Sequence, residues 1–167
     1  GLLDGDIIID AKSGISGTGK TPSERTHFSE CHDNVTAYGV FDHRHAAEIE
    51  QELTRKVTFV PHLVPLDRGI FETIYVHVSP GIAENVISET FNAAYVDSPF
   101  VRLRGEILPE IKQVAHTNFC DIGWKFNEER GCLVIVTCLD NLVKGAAGQA
   151  LQNFNVAYGF DELEALM

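Results

Sequence analysis

Two runs of β-branched and aromatic residues limit the fold most: Gly69 to Val78 (GIFETIYVHV) and Cys132 to Leu139 (CLVIVTCL). Such side chains suit the pleated, half-buried surface of a strand. The second run follows Phe119 to Phe126 and the polar turn Asn127-Glu128-Glu129-Arg130-Gly131, so this stretch reads as a β-hairpin whose loop closes on glycine. Further strands are expected around Ile7-Ile8-Ile9, Val35 to Phe41 and Phe100 to Leu103. Val57 to Pro65 is also strand-like, but Pro61 and Pro65 predict a bulge or bend there. Helices are expected at Ala46 to Arg55, where Ile49 and Leu53 share a face, at Ile82 to Tyr95, and at Leu142 to Tyr158, with Gly159 as the stop. Strands that are mostly hairpin-linked, with a few helices between, predict an α+β fold: a mixed, mostly antiparallel sheet covered by helices on one face. The strands carry more apolar side chains than one helical layer can hide, which predicts a homo-oligomer, dimer or tetramer, formed through the sheet face.

At 167 residues and 44% hydrophobic, the chain can bury one sizeable core, and we expect a single domain over 1–167. The net charge of -11, from 13 basic against 24 acidic residues, argues against nucleic acid or an anionic membrane as partner. No apolar run approaches the roughly 18 residues of a membrane span, and no signal segment opens the chain, so a cytoplasmic location is the default. Cys31, Cys120, Cys132 and Cys138 lack CxxC spacing and read as reduced core residues. The start at Gly1, with an apolar segment almost at once, suggests a piece of a longer protein.

Chemistry concentrates in four places. Asp42 to Gln51 crowds His43, Arg44, His45, Glu48 and Glu50 onto the mouth of a helix. Histidine titrates near neutrality, so the cluster suits acid/base work, a metal site or a solvated helix start; the spacing of His43 and His45, ahead of the helix rather than i, i+4 on one face, disfavours a metal. Gly14 to Thr21 formally matches GxxxxGK[ST], but Pro22-Ser23-Glu24-Arg25 follows in place of an apolar helix, so an anion-binding glycine turn is preferred to nucleotide hydrolysis. Arg68, after a proline-fixed turn, is either a bidentate anchor for an anionic substrate or half of a surface pair with Asp67. Gly145 and Gly148 each cost about 1 kcal/mol relative to alanine inside a helix, so something approaches that face closely: packed sheet, or a ligand facing Asn141 and the helix start.

Five segments in one order carry a family resemblance across nearly the whole chain: Ser13-Gly14-Ile15-Ser16-Gly17-Thr18-Gly19-Lys20, the HRHxxEIEQ run from His43, Phe59 to Pro65 leading to Arg68-Gly69, Thr117 to Gly123, and the DNLVKGAAGQALQN segment from Asp140. The chain resembles the C-terminal catalytic and dimerisation domain of the N-acetyl-gamma-glutamyl-phosphate reductase family. The resemblance displaces the P-loop reading, which stays a remote alternative. It implies a fold like the C-terminal domain of glyceraldehyde-3-phosphate and aspartate-semialdehyde dehydrogenases, preceded in the family by an NADP-binding Rossmann domain that would face the last helix, 142–158. It implies an NADPH-dependent reduction of an acyl phosphate to a semialdehyde through a cysteine thioester, in arginine biosynthesis.

By the same resemblance His43 is the catalytic histidine, helping to form the thiolate and stabilising the tetrahedral oxyanion. Substrate contacts fall to Arg68, Tyr38, His45 and Glu48, and cofactor contacts to Ser13, Gly14, Ser16, Gly17, Gly19, Asn141 and Gly145; no metal is implied. The family's Gly-Cys-x-x-Thr nucleophile motif is expected before Gly1, so this stretch alone should bind NADP weakly and not turn over. Ala46-Ala47 stands where a proline would be usual. Alternatives of the same class are a lysine-pathway homologue and aspartate-semialdehyde dehydrogenase; a non-enzymatic alternative is a structural, dimerising module.

Overall fold

In the computed structural model, which describes residues 2–167, the apolar runs form one seven-stranded sheet. Its strands are β1 (Leu3–Gly14), β2 (Thr36–Ala37), β3 (Val57–Val64), β4 (Ile70–Val78), β5 (Val101–Gly105), β6 (Cys120–Asn127) and β7 (Cys132–Leu139), in the order β2-β3-β1-β4-β7-β6-β5. The pairs β1/β3 and β5/β6 are parallel and the other four antiparallel, so the sheet is mixed and mostly antiparallel, as expected. The β6–β7 hairpin falls where its composition places it, with Gly131 in the left-handed region closing the turn.

Strand alternation gives the sheet two unlike faces. On one, the cross-strand row Phe59–Ile9–Ile74–Ile135–Trp124 lies at the centre of the core. Helices α2 (Arg44–Leu53) and α3 (Glu84–Tyr95) cover it through Ala46 and Ile49 from the first and Ile87, Phe91 and Tyr95 from the second. Phe91 stacks on Trp124, ring centroids 4.4 Å apart, a favourable aromatic pair within the buried layer. On the other face, Ile107, Pro109 and Ile111 from the β5–β6 connection cover the β6 side, packing where Gly123 and Gly69 have no side chain. The β3–β1–β4 side keeps Ile8 and Tyr75 exposed, at 44% and 41%. No helix among the described residues is long and apolar enough to cross a membrane.

Three expectations need correction. Val57–Val64 is one continuous strand without a bulge. Pro61 is tolerated because its carbonyl accepts from Tyr38 N–H on the β2 side; its missing N–H therefore points to the edge where β2 is ending, not into the sheet. The strand expected over Val35 to Phe41 shrinks to two residues, and the preceding polar segment holds two short helical pieces, Glu24–Thr26 and α1 (Phe28–Cys31). The last helix is two elements, a π-helical turn at Val143–Ala147 and then α4 (Gly148–Tyr158), which ends on left-handed Gly159. The π turn is held by i→i−5 bonds from Gly145, Ala147 and Gly148 N–H to the carbonyls of Asp140, Leu142 and Val143. Gly148 permits it: a Cβ there would stand 2.3 Å from Asn118 Oδ1 and 2.9 Å from the Val143 carbonyl.

Candidate active site

The helical face of the sheet is not covered to its end. Beyond the core row lie Pro61–Ala11–Glu72–Thr137–Ile122 and Leu63–Ser13–Ile70–Leu139–Cys120. Over them opens a cleft of about 480 Å³, walled by the start of α2, the 3-10 turn Ile15–Thr18, Tyr38 and the π turn. Ser13, Ser16, Gly17, Gly19, Tyr38, His43, His45, Asn141 and Gly145 all line it, so residues far apart in sequence converge on one cavity.

His43 is the N-cap of α2. Its Nδ1 accepts from the backbone N–H of His45 at 3.3 Å, which assigns the proton of the neutral ring to Nε2. The ring is packed between Phe59, Tyr38 and His45, with centroids 5.3, 5.4 and 4.9 Å away. Burial lowers its pKa, helped by the adjacent His45 and Arg44 and opposed by Glu48, so near neutrality the imidazole is uncharged. A neutral histidine held this way offers one N–H to an oxygen that gains negative charge. Arg44 Nε donates to His45 Nε2 at 3.3 Å, and the Arg44 guanidinium gives this wall of the cleft a positive edge.

Asn141 fixes the opposite wall. Its Oδ1 accepts from Gly69 N–H at 2.8 Å and its Nδ2 donates to Ser16 Oγ at 2.9 Å, while Ser16 Oγ donates to the Asp67 carbonyl at 2.5 Å. The serine-glycine turn is thus tied to the β3–β4 connection through one amide. Gly14 lies outside the cleft lining: its N–H donates to the Gly69 carbonyl at 2.8 Å, and a Cβ would meet the Leu66 carbonyl at 2.9 Å. Its glycine is needed for packing, not for an anion nest.

Arg68 also stands away from the lining, and its partner is not Asp67. Nη1 reaches both oxygens of the fully buried Asp140, at 3.3 and 3.2 Å. That carboxylate also accepts from the backbone N–H groups of His116, Leu142 and Val143 at 2.7 to 3.0 Å. Burial pushes the Asp140 carboxyl up, but these donors outweigh it and the net shift is downward. Glu48 is exposed on α2 and lines no part of the cleft; it touches the site through its field on His43. Burial raises the Cys120 thiol to about 11 and Cys138 to about 12, and none of the four cysteines lines the cleft. No group of three His, Cys, Asp or Glu side chains among the described residues is arranged to hold a metal ion.

Sequence reasoning noted Arg44 in the histidine run without giving it a role and, more consequentially, passed over Glu72. Glu72 sits on the cleft floor in phase with Ile70, Ile74 and Val76, on the face that is otherwise apolar. Its signal was there: an acid in step with buried residues of a strand rather than out of step with them.

This mixed sheet with helices on one face is a fold shared with solved aspartate-semialdehyde dehydrogenases. The chain superimposes on the Vibrio cholerae aspartate semialdehyde dehydrogenase II (TM-score 0.70, 15% identity, 96% of this chain and 56% of that one). It superimposes equally on a probable aspartate-semialdehyde dehydrogenase from Pseudomonas aeruginosa (TM-score 0.72, 12% identity, 94% and 56%). The chain belongs to the semialdehyde dehydrogenase dimerisation-domain family, whose profile matches residues 1–141. Among curated relatives, it is 45% identical to the N-acetyl-gamma-glutamyl-phosphate reductase of Shouchella clausii, over 96% of this chain and 48% of that protein. It is 46% identical to that of Listeria monocytogenes, over 96% and 49%, and 43% identical to that of Methanocaldococcus jannaschii, over 99% and 50%. The chain spans about half the length of the curated relatives it matches.

Proposed function

We propose that this domain supplies the histidine-bearing half of the active site of an NADPH-dependent N-acetyl-gamma-glutamyl-phosphate reductase. The observation that carries the reading is identity of 43 to 46% to relatives of that name over nearly all of the chain. Fold likeness at 12 to 15% identity does not favour the aspartate enzyme over it.

The cleft fits the chemistry. His43 donates from Nε2 to the oxyanion that develops when the γ-acyl carbon becomes tetrahedral, while Tyr38 and Phe59 pack its ring and hold its orientation. Arg44 and His45 hold the anionic end of the acyl phosphate. In this reading the thiolate comes from the part of the relatives' length that this chain does not span, because the thiols of Cys120 and Cys138 are held protonated by burial. The π-turn wall at Gly145 and Ala146 carries nothing larger than a methyl group, which suits the close approach of a flat ring. Gly145, Asn141, Ser16 and Gly17 would line that ring, and NADPH, when bound, supplies hydride to the acyl carbon.

Two further surfaces support the domain's place in a larger assembly. The bare β3–β1–β4 face, with Ile8, Val60, Phe71 and Tyr75 and with Val134 of β7 beside Tyr75, suits self-association. The exposed aromatic cluster of Phe154, Tyr158 and Phe160 on α4 and its tail suits packing against a nucleotide-binding domain.

The test joins this chain to the nucleotide-binding half of the Listeria relative and measures phosphate-dependent NADP reduction. Turnover of N-acetylglutamate semialdehyde in preference to aspartate semialdehyde is expected; the opposite preference would overturn the substrate. Sedimentation of the chain should show a dimer that Tyr75→Glu converts to monomer.

A further inference from the structure

Glu72 has no structural reason to be an acid. It occupies the central strand β4 on the helical face, one row beyond Phe59–Ile9–Ile74–Ile135–Trp124, between Ala11 and Thr137. Its single hydrogen-bond partner among the described residues is Thr137, whose Oγ1 donates to Oε2 across 3.4 Å, and it forms no ion pair. A desolvated carboxyl with one long hydrogen bond weakens a fold rather than supporting it, and such a group in a cleft marks a functional site. The other oxygen is free to accept from whatever occupies the cleft, and the small neighbours Ala11 and Ser13 leave the approach open.

We infer that Glu72 determines specificity by accepting a hydrogen bond from the amide N–H of an N-acylated substrate. The inference rests on the reductase reading above and deepens it. N-acetyl-gamma-glutamyl phosphate presents acceptors at its phosphate, acyl oxygen, carboxylate and acetyl carbonyl, and its only strong donor at neutral pH is the amide N–H. An acceptor on the cleft floor therefore has one group to receive, and it repels the anionic ends toward Arg44 and His45 at the opposite wall. Burial raises the Glu72 pKa, only partly offset by Thr137. The charged and titratable groups that share the cleft with it are Tyr38 and, on the α2 wall, His43, Arg44 and His45, and Cys120 on β6 feels its charge.

The joined enzyme provides the test, with Glu72→Gln and Glu72→Ala beside the parent. Glu72→Gln keeps a carbonyl acceptor and should leave KM for N-acetylglutamate semialdehyde within about threefold. Glu72→Ala should raise KM about tenfold or more with a smaller change in kcat, the loss of roughly one hydrogen bond to an uncharged donor. Its Tm should be equal to or above that of the parent, which a merely structural carboxyl would not give. An active parent whose KM is unmoved by Glu72→Ala overturns this inference and leaves the reductase reading standing. A parent that prefers an unacylated semialdehyde overturns both.

Discussion

The turn that ends β7 and the floor of the cleft each enclose a carboxyl group, and they treat it oppositely. Asp140 is fully buried and receives three backbone N–H groups and the Arg68 guanidinium, so its proton is held less tightly than usual. Glu72 is less enclosed but receives only Thr137, and its proton is held more tightly. Burial alone therefore does not decide what an acid is for; the count of donors turned toward it does. Asp140 holds the π turn to β4 and the loop at His116, whereas Glu72 is left to be satisfied from the cavity.

Replacing Asp140 with alanine should give the largest effect, a loss of about 3 to 5 kcal/mol of stability, because it strands three N–H groups and a partly buried guanidinium. Urea unfolding checks it, and a loss under about 1 kcal/mol would break the comparison. Asn141→Ala should cost about 2 kcal/mol, since it leaves Gly69 N–H buried and unpaired and frees Ser16. Its sharper readout is hydrogen exchange at residues 15–19, which should quicken while the β6–β7 hairpin does not.

The two acids also predict opposite slopes with pH. Glu72, with a raised folded pKa, contributes stability that is fully present below its ordinary value of 4.5 and lost as pH rises through the folded pKa. Asp140, with a lowered one, contributes stability present above its ordinary value of 3.8 and lost as pH falls through the folded pKa. The stability difference between parent and Glu72→Gln should shift in the parent's favour between neutrality and pH 4.5, and that between parent and Asp140→Asn should shrink only below pH 3.8. The smallest effect belongs to Arg68→Lys, about 0.5 to 1 kcal/mol, because a single Nη1 makes both contacts and an ammonium can replace it in part.

Most of the sheet was legible because β4, β6 and β7 are built from long β-branched runs whose local preference agrees with their final place. What escaped was set by tertiary context. The continuity of β3 through Pro61 depends on β2 stopping two residues in, and the split of the last helix depends on Asn118 pressing against Gly148. In the cleft, the histidine run and the serine-glycine turn announce themselves by composition. Glu72 is quieter: it stands in step with Ile70, Ile74 and Val76, but Phe71 and Tyr75 make the other face of β4 apolar as well, so the alternation alone does not say which face is buried. Arg68 stood out by its turn but is held by Asp140, 72 positions away in sequence.

The parallel pairing of β1 with β3 also sets a timetable. The β6–β7 hairpin closes over a four-residue turn, but β1 can meet β3 only after residues 15–56 have crossed the helical face carrying Tyr38, His43 and α2 with them. Loop-closure entropy makes such non-local pairing slow, so the cleft is assembled after the sheet's far edge has formed. Pulse-labelling during refolding should find amides of residues 120–139 protected before those of β3, and simultaneous protection would refute that order. In that order residues 15–56 are the last to become native, which leaves the His43 ring exposed to solvent for most of the folding time.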